Sequence, residues 1–262
     1  MQTEIYQVDA FTSNTFGGNP AAVCPLEEWL PKHIMQSVAA ENNLAETAFF
    51  VAKDEGFEIR WFTPKIEVDL CGHATLAASW VLFKHLNYSE DIIKFSSRSG
   101  ELLVSKKADR IILDFPADFC DPVEAPQGLF QAIGQEPLLC YQGKTDYLLI
   151  YQNQKVIENL KPDFAALAKV EARGIIVSAK GDAVDFVSRF FAPQVGINED
   201  PVTGSAHTTL IPYWSRELVK TEMHALQISE RGGDLMLKMK GNRVEIAGKA
   251  ITYLQGHITI PD

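Results

Sequence analysis

The sequence predicts an α+β protein made of two similar halves related by a pseudo-twofold axis. The main observation is an internal repeat: a strand, a proline-terminated turn, an acidic residue and a helix start with small residues occur twice. The copies run from Ile59 to Leu76 and from Val187 to His207. Each copy continues into a helix. A cleft between matched halves would receive one helix N-terminus from each side, and two such ends favour an anion.

In the first half, alternating runs predict strands and helical spacing predicts two helices. Pro31 suits the first turn of a helix over residues 31–42. The helix of residues 73–86 is nearly all apolar, so we expect it to be buried on most sides. Strands are expected at 4–10, 21–24, 47–51, 57–62, 102–104 and 110–115.

The segment 116–126 is the expected linker, because it holds three prolines and several acidic residues. This places one domain at residues 1–117 and a second at 118–247. A final strand of about 248–262 either belongs to the second domain or crosses back to the first. In the second half, helices are expected at 164–170 and from 203 to about 218, and strands at 148–151, 174–178, 185–191, 235–239, 243–247 and 250–259.

Composition excludes several classes of protein. The chain has 262 residues, of which 46% are hydrophobic and 22% charged, as in a globular protein. A net charge of −10 without runs of Lys or Arg argues against a nucleic-acid or anionic-membrane surface. No apolar run approaches the roughly 20 residues of a membrane span, and the start lacks a signal-peptide pattern, so we expect a cytoplasmic protein.

The four cysteines are widely spaced, which argues against a metal knuckle or a disulfide framework. Cys71 differs by its position at a predicted helix start, where the dipole lowers a thiol pKa, so a reactive and a structural interpretation both remain. Phosphate-loop, dinucleotide-binding, nucleophile-elbow and zinc-protease motifs are missing from the sequence. The sequence therefore predicts neither a cofactor nor a metal.

Four positions are candidates for chemistry. Glu46 lies between a polar turn and an apolar strand, where burial would raise its pKa toward that of a general acid or base; a solvated Glu is the alternative. His73 is either a catalytic imidazole or a cap at a helix start. Asp200 precedes a second helix start, where Asp or Thr caps the helix or free N–H groups hold a carboxylate. Asn19 either binds a ligand or is a turn residue.

Seven motifs resemble those of one known family, in the expected order and over nearly the whole chain. They are Asp9-Ala10-Phe11-Thr12, Phe16 to Val23, Leu44 to Phe49, Phe62-Thr63-Pro64, Cys71-Gly72-His73-Ala74-Thr75, Leu113 to Ala117, and Phe190 to His207. The last motif is quite specific. On these residues the chain is identified as a member of the phenazine-biosynthesis (PhzF-like) isomerase family.

The resemblance implies a diaminopimelate-epimerase-like fold, in which two domains each wrap a mixed β-sheet around a central helix and the site lies between them. It also implies a homodimer without a cofactor. In the phenazine enzyme the glutamate that matches Glu46 moves a proton on a cyclohexadiene amino acid. Residues that match His73, Asp200 and Ser205 surround that substrate. Further candidates for substrate binding are the backbone amides of Gly72 and Gly204, together with Asn19, Cys71 and Thr203.

We therefore predict a cofactor-independent isomerase of a small amino- or hydroxy-carboxylate, with Glu46 as general acid and base and with help from His73 and Asp200. Ser205 would orient the substrate. One alternative is an amino-acid epimerase or racemase that uses Cys71. A mechanism with two thiols, one at each helix start, is disfavoured, because the residue at the second helix start is Thr203 rather than a cysteine. The other alternative is a small-molecule-binding protein without catalysis.

Overall fold

The computed structural model describes residues 1–260, in which runs of strands are separated by helices. The strands are β1 Gln2–Ala10, β2 Asn19–Leu26, β3 Glu46–Lys53, β4 Gly56–Phe62, β5 Glu67–Val68, β6 Ile92–Ser97, β7 Gly100–Lys107, β8 Arg110–Pro116, β9 Asp121–Pro122, β10 Leu139–Gln142, β11 Asp146–Ile150, β12 Gly174–Lys180, β13 Phe186–Phe191, β14 Glu222–Gln227, β15 Gly233–Lys240, β16 Arg243–Gly248 and β17 Ala250–Thr259. The helices are α1 Lys32–Asn42, α2 Gly72–Lys84, α3 Leu129–Ile133, α4 Gln154–Asn159, α5 Phe164–Leu167 and α6 Gly204–Leu218.

The chain divides into two compact units. Unit 1 comprises Met1–Asp114 and the segment from Ala247 onward, and unit 2 comprises Phe115–Ile246. The last strand, β17, pairs antiparallel with β1 within unit 1. Residues 261 and 262, which the sequence assigned to this strand, lie outside the described residues.

Unit 1 is a mixed sheet with a helix on each face. Strand β2 pairs antiparallel with β1 and parallel with β3, and β4 continues the sheet from β3. Met35 and Ala39 of α1 pack on one face, in a core with Ala22 and Cys24 of β2. Because side chains alternate along a strand, the neighbouring residues of β2 point to the opposite face. The apolar helix α2 packs against β1, β2 and β3, and nine of its residues are buried.

Unit 2 repeats this pairing pattern. In unit 1, neighbouring strands run antiparallel, parallel, antiparallel, parallel and antiparallel through β1, β2, β3, β4, β6 and β7. In unit 2, the same order of directions holds through β10, β11, β12, β13, β14 and β15. The buried helix α6 links β13 to β14 as α2 links β4 to β6. Each unit thus has an α+β arrangement of the same kind.

The repeat extends to side chains. Arg60 stands 5.3 Å from the centre of the Phe62 ring and pairs with Glu67 at 2.7 Å. Arg189 stands 4.9 Å from the Phe191 ring and pairs with Glu199 at 2.7 Å. Each ion pair links the strand to the segment that precedes the helix start. The two helix starts are therefore held by the same kind of contact.

The structure differs from the sequence prediction in detail. The helix expected over 164–170 is a single turn, α5 Phe164–Leu167. The sequence did not predict strands β5, β6, β9, β10 and β14 or the short helices α3 and α4, and β9 lies within the expected linker. Among residues 1–260 we find no helix that is both long and apolar enough to span a membrane.

Candidate active site

Four predicted residues lie together at one end of the strands of the unit 1 sheet. Strands β2 and β3 are parallel, with Ala21 opposite Glu46, so Asn19 and Glu46 stand at the same end of the sheet as the first residues of their strands. Helix α2 starts against this end, with Cys71 at its N-cap and His73 as its second residue. We call Asn19, Glu46, Cys71 and His73 the unit 1 cluster.

The imidazole of His73 is the centre of this cluster. Its Nε2 lies 3.2 Å from Oε2 of Glu46. Its Nδ1 lies 3.3 Å from Nδ2 of Asn19 and 3.5 Å from Sγ of Cys71. His73, Cys71 and Asn19 are buried, whereas the Glu46 side chain keeps 13% of its surface exposed. The carboxylate is therefore the member of the cluster that a small molecule could reach most readily.

The surroundings of His73 fix its protonation. The amide nitrogen of Asn19 can only donate a hydrogen bond, and the Cys71 thiol is a weak donor, so Nδ1 is the acceptor and the ring proton lies on Nε2. Burial lowers the pKa of His73 to about 3. A carboxylate at 3.2 Å favours the imidazolium, but desolvation of the buried ring dominates. The ring is therefore neutral at physiological pH, and its N–H is on the side of Glu46 without the alignment of a hydrogen bond.

A tight turn holds Asn19 in place. Gly18 has φ +63°, and a Cβ atom there would overlap the carbonyl oxygen of Ala10. The N–H of Phe16 donates to Oδ2 of Asp9 at 2.9 Å, which folds the turn back onto the end of β1. Only glycine fits this close approach of the backbone, so the turn delivers Asn19 to His73 in a fixed position.

Unit 2 places a second group of predicted residues at the start of α6. Thr203 is the N-cap residue, and its hydroxyl donates to the carboxylate of Asp200 rather than to the helix. Gly204 is the buried first residue of α6, and Ser205 is exposed beside it. The Thr203 side chain therefore does not cap α6 and instead links to the carboxylate of Asp200.

Gln227 holds this turn in place with two hydrogen bonds, and the sequence did not indicate this role. Its Oε1 accepts from the N–H of Thr203 at 2.8 Å, and its Nε2 donates to the carbonyl of Asp200 at 2.8 Å. The side chain is 1% exposed. The sequence feature that could identify Gln227 is its place in the alternation of β14, where it follows the buried residues Met223 and Ala225 but is polar.

Arg173 is the other residue that the sequence did not identify. Its Nη2 donates to Oγ of Ser205 at 3.4 Å, and its guanidinium pairs with the buried carboxylate of Asp146. Burial raises the pKa of Asp146, whereas the charge of Arg173 lowers it. A guanidinium therefore lies next to the exposed hydroxyl at the start of α6.

The two helix starts share one electrostatic feature. Neither the Cys71 nor the Thr203 side chain makes a cap hydrogen bond to its own helix, and neither first turn carries an acidic side chain. Because the N-terminus of a helix has roughly half a positive charge, each start favours a negatively charged group on a ligand.

We expect Gln227→Met to destabilise unit 2 by about 2 to 3 kcal/mol. The thioether matches the glutamine in shape, but it leaves the buried N–H of Thr203 without its Gln227 acceptor, and an unpaired buried group costs about 1–3 kcal/mol. Urea unfolding measures the change. Gln152→Met, at an exposed position, is the control. Equal stability of the two variants would contradict this role of Gln227.

Comparison with known proteins places the chain in a family. The sequence profile of the phenazine biosynthesis-like proteins, PhzC-PhzF, matches residues 8–256. An uncharacterised isomerase of Pseudomonas aeruginosa is 49% identical over 256 residues, with 98% of each chain covered. A crystal structure of a PhzF-family protein from Enterococcus faecalis has 45% identity and a TM-score of 0.97, over 99% of this chain and 100% of that one.

A more distant likeness concerns the fold alone. A hydroxyproline epimerase from Agrobacterium vitis has a TM-score of 0.60 at 10% identity, over 100% of this chain and 93% of that one. Together with the two units, this likeness confirms the predicted α+β two-domain, epimerase-like fold. The match of the family profile over nearly the whole chain and the named isomerases among its relatives lead to one conclusion: the chain belongs to the phenazine biosynthesis-like (PhzC-PhzF) family and is an enzyme of the isomerase class.

Proposed function

We propose that this isomerase moves a proton from one carbon atom to another on a small amino- or hydroxy-carboxylate, with Glu46 as the general acid and base. The observation that carries the proposal is the partly exposed Glu46 carboxylate at 3.2 Å from a buried, neutral imidazole. A carboxylate can take a proton and return it. Because His73 beside it is neutral, its N–H side faces Glu46 and the ring does not act as a second acid.

The proposed reaction needs no external reactant. The substrate must carry a double bond next to the carbon atom that loses its proton. Glu46 takes that proton, and the bonding electrons form a new double bond as the old one shifts toward the second carbon atom. The protonated Glu46 then returns the same proton to a different carbon atom. The buried imidazole of His73 lies beside the carboxylate, with Nε2 at 3.2 Å, and limits the positions that Glu46 can take before the transfer. Independence from a cofactor remains a prediction of the sequence.

Binding of the substrate is assigned to the helix starts. The uncapped start of α2, with the backbone amide of Gly72, supports binding of a carboxylate beside Glu46. Family resemblance, rather than a distance in the structure, assigns Asp200, Thr203, Gly204 and Ser205 to the same substrate. The guanidinium of Arg173 beside Ser205 adds a charge that favours an anionic group there. The homodimer that the resemblance implies likewise remains a proposal.

Incubation in heavy water tests the proposal. Wild-type protein is mixed with a set of cyclic and linear amino and hydroxy acids, and mass spectrometry reads deuterium bound to carbon. We expect an isomerised product that carries deuterium wherever Glu46 exchanges its proton with solvent between the two steps. A compound that binds tightly but is neither labelled nor rearranged would favour the binding-protein alternative and contradict catalysis.

An epimerase that uses Cys71 is the second candidate, because Sγ of Cys71 lies 3.5 Å from the same imidazole. Such an enzyme would exchange one hydrogen and invert one stereocentre without moving a double bond. Chiral chromatography of the labelled compound separates the two outcomes. Cys71→Ser is expected to leave the proposed isomerisation within about tenfold of wild type and to abolish an epimerisation that depends on the thiolate.

A further inference from the structure

The unit 1 cluster offers donor atoms of three kinds at one point. One oxygen of Glu46, Sγ of Cys71 and a ring nitrogen of His73 all lie within 4.8 Å of one another. The sequence predicted no metal, because Glu46 is distant along the chain from the other two residues and no metal-binding spacing is present. The pairing of β2 with β3 and the start of α2 bring the three donors together.

The distances approach those of a tetrahedral ion. Bonds of about 2.0–2.1 Å to nitrogen and about 2.3 Å to sulfur place neighbouring donors roughly 3.4–3.6 Å apart. Sγ of Cys71 lies 3.5 Å from Nδ1 of His73, and Oε2 of Glu46 lies 3.2 Å from Nε2. An ion uses one ring nitrogen only, and the three donors about one nitrogen lie within 4.8 Å of one another, so the side chain of Glu46 or of Cys71 must move closer to complete the set.

A second observation supports a ligand at this point. The Nε2 atom of His73 is fully buried and has no aligned hydrogen-bond partner. The residue as a whole is 6% exposed. A buried polar atom without a partner costs free energy that a bound ligand can recover. Asn19, against the other ring nitrogen, limits rotation of the imidazole, as outer groups do at metal sites.

We propose that Glu46, Cys71 and His73 bind a thiophilic divalent cation such as Zn²⁺ or Cd²⁺, and that this cation inhibits the enzyme. On binding, Cys71 releases its thiol proton to solvent and the ion bonds to the thiolate. When Nε2 of His73 binds the ion, the ring proton moves to Nδ1, and the amide of Asn19 turns over so that its oxygen accepts it. Sulfur and imidazole donors select Zn²⁺ and Cd²⁺ over Mg²⁺ and Ca²⁺. With three protein donors, a fourth position stays open to water. Binding requires only the three donors, whereas inhibition rests on the proposed role of Glu46, whose oxygen the ion occupies.

Titration of the full-length protein with Cd²⁺ tests binding without a substrate. The thiolate-to-cadmium charge-transfer absorption in the ultraviolet reports the bond to sulfur, and competition with Zn²⁺ gives the zinc affinity. We expect one ion per chain with wild type. Cys71→Ser should abolish the band, while Glu46→Gln and His73→Asn should keep it and weaken affinity by at least about tenfold. Cys140→Ser, which changes a partly buried cysteine of unit 2, is the matched control and should bind as wild type.

Several results would overturn the proposal. A missing band, a band that survives in Cys71→Ser, or an affinity unchanged by both Glu46→Gln and His73→Asn would each exclude the three-donor site. Equal binding of Mg²⁺ would exclude a thiophilic site. Inhibition by Zn²⁺, reversed by a chelator, is then measured on the substrate found in heavy water. Binding at Cys71 without inhibition would leave the ion site intact and count against Glu46 as the base.

Discussion

Glu46→Gln is expected to lower turnover by about 10² to 10⁴-fold, the usual contribution of a general acid or base. The amide has nearly the shape of the carboxylate, so it can occupy the same place beside His73. It cannot accept a proton from carbon and return it, however, because its basicity is far too low. The rate of isomerisation on the substrate identified in heavy water measures the effect, together with a binding constant for that compound.

Two further variants separate chemistry from structure. Glu46→Asp keeps the carboxyl group but withdraws it by one methylene, so we expect activity between those of wild type and Glu46→Gln. Glu41→Gln removes one negative charge from an exposed position on α1 and should turn over as wild type. All three should unfold at similar urea concentrations. A Glu46→Gln enzyme within threefold of wild type would eliminate Glu46 as the base.

The fold could be predicted to a large extent because its strongest signal is repeated within the chain. The apolar helix α2 and the strands that flank it have clear periodicity, and the same order returns in unit 2. The missed strands β6 and β14 each pair in parallel with a distant strand, β4 or β13. The sequences of both strands depart from clean alternation of apolar and polar residues: Ile92 of β6 is exposed, and Gln227 of β14 is buried. The local pattern is therefore weak, and the long-range partner decides their structure.

The candidate site was predictable in its parts but not in its contacts. Local sequence placed Glu46 at a strand start and His73 at a helix start, as the structure has them. The distance of 3.2 Å between their side chains depends on how α2 packs against β2 and β3, which no local pattern encodes. Gln227 illustrates the same limit, since its partners Asp200 and Thr203 are far away in sequence and its strand was not predicted.

The protein is expected to lose about 4 kcal/mol of its free energy of unfolding between pH 7 and pH 5, because two buried histidines must stay neutral in the folded state. Burial lowers the pKa of His73 to about 3 and that of His207 to about 4, from an ordinary value of 6.5. In this range the unfolded chain binds protons that the folded chain does not, so stability falls as pH falls. Above about pH 7.5, roughly one unit over the unfolded value, both states are nearly neutral at these rings and the contribution is flat. Each ring accounts for about 2 kcal/mol of the loss.

Variants of single histidines test this slope by urea unfolding at the two pH values. His207 is the cleaner case, because its Nδ1 donates to the carbonyl of Thr203 at 2.8 Å and the ring stacks on Phe186. An asparagine there retains a donor near that carbonyl, so His207→Asn should reduce the loss to about 2 kcal/mol, whatever its stability at pH 7. His33→Gln, at an exposed position of α1, controls for the number of histidines and should leave the slope unchanged. A slope in His207→Asn equal to that of wild type would mean that the buried ring of His207 accepts a proton without unfolding. Burial alone would then not keep a histidine of this protein neutral, and the neutral state assigned to His73 would need its own measurement.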